Sequence, residues 1–128
     1  MTLKCDIRQR DGVTILDLRG FVRLGETYTT GSENRVALDD KIRELIEKGQ
    51  KKILLNLADV IAMDSSGVGQ LIGAFTTARN HGADLKLMKP TSHVGDLLKI
   101  TKLDTVLDIH NDEDKAIKAF AKGAAAKA

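Results

Sequence analysis

Apolar and polar positions alternate from the start of the chain. Leu3, Cys5 and Ile7 are separated by Lys4 and Asp6, the two-residue period of a half-buried strand. Asp11-Gly12 precedes a second apolar run, Val13-Thr14-Ile15-Leu16-Asp17-Leu18, and this turn-forming dipeptide between two such runs predicts a hairpin. Between residues 20 and 31 the pattern dissolves into glycine, threonine and charge, which predicts a loop. It re-forms with a helical period. Leu38, Ile42, Leu45 and Ile46 fall at i, i+4, i+7 and i+8, and Lys48-Gly49 supplies the cation and the glycine that favour a C-terminus.

Ile53-Leu54-Leu55-Asn56-Leu57 is almost continuously apolar, as in a strand covered on both faces. Past Met63, Asp64-Ser65-Ser66 offers three N-cap types and opens a second helix. Val68, Leu71, Ile72 and Phe75 are its expected buried stripe, and His81-Gly82 its end. A strand follows at Leu85-Lys86-Leu87-Met88, stopped by Pro90, then a short helix around Val94, Leu97 and Leu98. Val106-Leu107-Asp108-Ile109 predicts another strand, and the last helix starts at Asn111-Asp112 and buries Ala116, Ile117 and Phe120. Residues 122–128 are expected to fray. The order β-β-α-β-α-β-α-β-α predicts an α/β fold over residues 1–121: one domain, a mixed β-sheet of about five strands with helices packed on it.

Composition narrows the function more than the fold. Twenty basic and 18 acidic side chains leave a net charge of +2, no electrostatic footprint for nucleic acid or an anionic membrane. Phe21, Tyr28, Phe75 and Phe120 are too few aromatics for a base-stacking platform. No apolar run approaches the roughly 20 residues that span a bilayer, and the alternating start lacks a signal peptide's apolar block. No membrane insertion is expected, and a cytoplasmic location is. Cys5, the single cysteine, reads as a small hydrophobe on the first strand.

Catalytic chemistry finds little support. The phosphate-cradling loop Gly-x-x-x-x-Gly-Lys-Ser/Thr is missing, and among Gly67, Gly69 and Gly73 the third falls one residue late for a dinucleotide fingerprint. Ser65 and Ser66 are preceded by Met63-Asp64, not by the small residue of a nucleophile elbow. His81, His93 and His110 fall in predicted turns or loops without an evident carboxylate to orient them. With one distant cysteine they give no metal-ligand spacing. Asp39-Asp40 and Asp112-Glu113-Asp114 suit the first turns of helices. The chain is therefore expected to have no catalytic residues, no metal and no cofactor, and not to be an enzyme.

The stretch Met63-Asp64-Ser65-Ser66-Gly67-Val68-Gly69 differs in kind. Glycine at two early helical positions costs about 0.5–1 kcal/mol each relative to alanine, more than a simple cap requires. Such glycines leave the serines clear for another protein to reach. Placed after Ile53-Leu54-Leu55-Asn56-Leu57 and before Gly82-Ala83-Asp84-Leu85-Lys86-Leu87 and Leu97-Leu98-Lys99-Ile100-Thr101-Lys102-Leu103, the stretch resembles the signature of the bacterial anti-sigma factor antagonists, the STAS domain family.

The resemblance implies that the serine directly after the aspartate, Ser65, is phosphorylated, with Ser66 the second choice. It further implies a partner that is both anti-sigma factor and serine-protein kinase, bound by the unmodified form so that sigma factor is freed, and a phosphatase that resets the switch. Asp64, Ser65, Ser66, Gly67, Val68, Gly69 and Arg23 are the partner-binding residues it suggests. Arg23 stands where the family usually carries an acid, within Gly20-Phe21-Val22-Arg23, and Lys102 stands where it usually carries glycine. Two other readings are a STAS subunit of a transport or signalling complex that is never phosphorylated, and a small-ligand or nucleotide sensor.

Overall fold

The computed structural model describes residues 3–22, 28–29, 35–36, 38–63 and 65–121. Strand β1 (Leu3–Arg10) pairs antiparallel with β2 (Val13–Val22), Cys5 opposite Leu18 and Arg10 opposite Val13. Asp11 and Gly12 turn between them with φ of +52° and +80°, the two positive values that a two-residue hairpin with matching twist requires. Two short strands, β3 (Tyr28–Thr29) and β4 (Arg35–Val36), continue the sheet beyond β1. Helix α1 (Leu38–Glu47) leads to β5 (Lys52–Met63), α2 (Ser65–Asn80), β6 (Asp84–Met88) and α3 (Ser92–Ile100). A 3-10 turn (Leu103–Thr105), β7 (Asp108–His110) and α4 (Glu113–Ala121) complete the chain as described.

The sheet runs β4-β3-β1-β2-β5-β6-β7, with β2, β5, β6 and β7 parallel. This is the expected mixed α/β sheet and element order, with β3 and β4 as additions at one edge. Helices α1, α2 and α3 cover one face, and α4 covers the other. Ile42, Leu45 and Ile46 of α1, Val68 and Leu71 of α2, and Val94 and Leu98 of α3 pack on Leu16, Leu18, Ile53, Leu55, Leu57 and Leu87. On the opposite face Ala116, Ile117 and Phe120 of α4 close over Val13, Ile15, Leu54 and Met88. Central β5 is thus buried from both sides, as its apolar run demanded.

Glycine ends α1 and α2 in the same way. Gly49 (φ +93°) donates to the Ile46 carbonyl at 3.0 Å and Gln50 to that of Leu45 at 2.9 Å. Gly82 (φ +73°) donates to Arg79 and Ala83 to Ala78, at 3.2 and 2.8 Å. Only a left-handed residue lets the chain fold back so that these last carbonyls are satisfied.

Four expectations need correction. Gly20, Phe21 and Val22 belong to β2, because Gly20 pairs with Val60 and Val22 with Met63, and Tyr28–Thr29 is a strand on β1. Gly20 and the mixed glycine, threonine and charged residues beyond Val22 interrupt the apolar pattern, so composition hid the pairing. Strand β7 begins at Asp108, not at Val106, because the Val106 and Leu107 amides are engaged by the Leu103 carbonyl at 3.0 and 2.8 Å. Ile72 is 44% exposed, while Ala74 and Ala78 are buried and set α2 close to the sheet. His93 lies in α3 and His110 in β7, neither in a loop. The tail at residues 122–128 lies outside the described residues.

Candidate functional site

The site is built where a buried strand hands over to a helix. Parallel pairing of β2 with β5 persists to Val22 and Met63, so β5 stays in the sheet to its end, and α2 begins at Ser65. Met63 is buried on one side of the junction and Val68 and Leu71 on the other, which fixes where the helix starts. The start of α3 meets the same edge. The Thr91 hydroxyl accepts from the Val94 amide and donates to the Val60 carbonyl, each at 3.4 Å, so one side chain caps α3 and ties it to β5. Helix N-termini at the carboxyl ends of parallel strands form the edge at which open α/β sheets place their sites.

The expected site residues divide into groups. Asp64 and Arg23 lie outside the described residues, as do the side chains of Ser65 and Ser66. Position 65 is the first residue of α2. Gly67 and Val68 are buried, and the Val68 side chain packs into the chain's own core. Gly69 is exposed, and a Cβ built on it would meet nothing within 4 Å. Gly73 has the same open space. The fold itself thus requires glycine at neither position. Positions 65, 69, 72 and 73 follow the i, i+4, i+7, i+8 rule and lie on one helix face. That face carries the exposed Ile72 at its centre.

Away from this edge, several ionisable groups are structural. Arg8 grips Glu113 with both terminal nitrogens (2.5 and 3.1 Å) and Asp17 at 2.8 and 3.2 Å, while Arg10 bonds Glu113 at 2.8 Å and Asp114 at 2.6 Å. Asn56 donates to Asp17 at 2.7 Å, and Arg19 pairs with Asp6. The Arg8 bond, with Arg10, outweighs burial and holds the Glu113 carboxyl at about 2. Lys86 is 2% exposed; its Nζ reaches Asp108 at 2.7 Å and lies 5.2 Å from the centre of the Phe120 ring. Burial opposes ionisation of Asp108, but Lys86 and His110 prevail and bring its carboxyl down to about 2. Burial also pushes the Cys5 thiol up to about 12, so it is a core hydrophobe and not a nucleophile.

Sequence reasoning found no carboxylate for any histidine, whereas His110 Nε2 lies 3.0 Å from Asp108 Oδ2. Residues i and i+2 of a strand share a face, so Asp-x-His within β7 was a readable signal. The pair lies beneath α4, away from the start of α2. Among the described residues no group of His, Cys, Asp or Glu is arranged to hold a metal ion, and no helix is long and apolar enough to cross a membrane.

A mixed sheet whose central parallel strand hands over to a helix at its carboxyl end defines the fold class. The STAS domain model matches residues 4–116, and the chain belongs to the STAS domain family. It is 28% identical over 109 residues to the anti-sigma-B factor antagonist of Bacillus subtilis, covering 85% of this chain and 92% of that one. It is 32% identical over 75 residues to a Thermotoga neapolitana protein provisionally assigned as an anti-sigma factor antagonist, covering 59% of this chain and 66% of that protein. The solved structure of the anti-sigma factor antagonist SpoIIAA in its unphosphorylated form superposes with a TM-score of 0.60 at 19% identity, covering 91% of this chain and 97% of that one.

Proposed function

We propose that this chain is a cytoplasmic anti-sigma factor antagonist that acts by binding, without catalysis. Its unphosphorylated form captures an anti-sigma factor that is also a serine kinase and so frees sigma factor. Phosphorylation at Ser65 switches that binding off, and a phosphatase restores it. The observation that carries the reading is the open face of α2. Ser65 opens the helix, Gly69 one turn on is exposed with no neighbour for a Cβ, and Ile72 offers apolar surface that the fold leaves uncovered. A helix that costs its owner glycine stability and an exposed isoleucine is shaped for a partner's close approach. Similarity to antagonists of anti-sigma factors supplies the partner class.

The switch follows from electrostatics. A phosphate brings about −1.5 to −2 charges. At a helix start the free N–H groups and the dipole welcome an anion, so the fold tolerates it. A partner packed over the same spot must desolvate it, and an unpaired buried charge costs several kcal/mol. Each 1.4 kcal/mol is about tenfold in affinity.

Ser65→Asp and Ser65→Ala test the reading against the anti-sigma factor recovered with the wild-type chain. Ser65→Asp is expected to lose binding with little change in melting temperature, and Ser65→Ala to bind constitutively and accept no phosphate. Undiminished binding by Ser65→Asp refutes the switch. Failure of a cognate kinase to modify Ser65, with Ser65→Asp still blocking binding, leaves the interface and removes the phosphorylation.

A further inference from the structure

Between α2 and α3, where β6 and β7 form the floor, the surface sinks into a cleft of about 970 Å³, at the upper end of the range of ligand sites. Its apolar wall comes from Phe75, Ala78, Leu85, Leu98, Leu107 and Ile109. Charges of both signs stand along it: Arg79 in the last turn of α2, Asp96 and Lys99 on α3, and Asp104 in the 3-10 turn. None of these four side chains makes an ion pair or side-chain hydrogen bond among the described residues. A concave apolar wall edged by unpaired charges of both signs is the complement of a dipolar small molecule.

We propose that this cleft binds a small zwitterion with an apolar body, its anionic group held by Arg79 and Lys99 and its ammonium by Asp96 and Asp104. The body lies on Phe75 and Ile109, the half-buried apolar side chains of the wall. An apolar α-amino acid is the simplest molecule of this chemistry.

Amide NMR titration of the full chain with L-phenylalanine, 3-phenylpropionate and phenethylamine separates the contributions, because the last two each carry one of the charges alone. Saturable shifts at Phe75, Arg79, Gly95, Lys99 and Thr105 are expected with L-phenylalanine, and weaker ones with either single-charge probe. Arg79→Ala/Lys99→Ala and Asp96→Asn/Asp104→Asn are expected to weaken L-phenylalanine by about tenfold or more, the loss of at least one charge-assisted bond. All four positions are exposed, so folding is preserved. No saturable response to L-phenylalanine, equal response to all three probes, or unchanged binding by both double variants overturns the proposal. No partner protein enters the titration, so the outcome is independent of Ser65.

Discussion

Gly69→Ala separates what the fold needs from what a partner needs. The glycine sits in the second turn of α2 with a helical backbone and nothing within 4 Å of the added methyl. Relieving glycine's conformational entropy inside a helix contributes about 0.5–1 kcal/mol. With an unfolding entropy of about 2 cal/mol/K per residue, that gain raises the melting temperature of a domain this size by about 2–4 °C. In a complex closed over the Ser65–Ile72 face the same methyl overpacks the contact. A small-to-large change in a packed interface costs about 1–3 kcal/mol, or roughly 5- to 150-fold in affinity. Calorimetry of the free chain and titration calorimetry with the anti-sigma factor read the two effects. Gly73→Ala, equally open, gauges how far along the helix the contact runs. Higher stability with unchanged affinity would show that no partner depends on the glycine. A fall in melting temperature would refute the open space itself.

Lys102 takes the left-handed conformation (φ +62°, ψ +19°) between α3 and the 3-10 turn, where a side chain costs about 1 kcal/mol, so Lys102→Gly is expected to raise stability by about that amount in chemical denaturation. Acid titration probes two sets of ion pairs, the clasp of Arg8 and Arg10 on Glu113 of α4, and Lys86 with His110 on Asp108 of β7. Glu113 and Asp108 are both depressed to about 2 in the folded chain, so their stabilisation is complete above the unfolded carboxylate range and is lost as pH falls from about 5 towards 2. Glu113→Gln is expected to flatten that decline and to lower stability at neutral pH by about 1 kcal/mol after solvent screening, measured by urea unfolding across pH; an unchanged profile refutes the clasp. Thr91→Ala removes the α3 cap and the tie to Val60, and a loss of about 0.5–2 kcal/mol is expected by the same assay.

Where one local rule acted alone, the sequence was sufficient. Asp11-Gly12 dictated a hairpin turn because both residues tolerate positive φ, and Gly49 and Gly82 marked helix ends for the same reason. Ala116, Ile117 and Phe120 named their own face of α4 because helical period and burial coincide. The unbroken run Ile53-Leu54-Leu55 declared a strand with neighbours on both sides, as β5 has. The stretch from Met63 to Gly69 stood out because its glycines contradict the helix they open.

Decisions that depended on distant groups were legible only in three dimensions. Whether Phe21 and Val22 were strand or loop rested on β5 lying alongside. Which of Leu71 and Ile72 turned inward rested on how closely Ala74 and Ala78 let α2 approach the sheet. Arg8 and Glu113 are 105 residues apart in the chain, and only the docking of α4 over β2 and β5 brings them together. Side-chain chemistry and backbone period are written residue by residue. Pairing, exposure and ion contacts are properties of groups brought together from afar, so no window on the chain contains them.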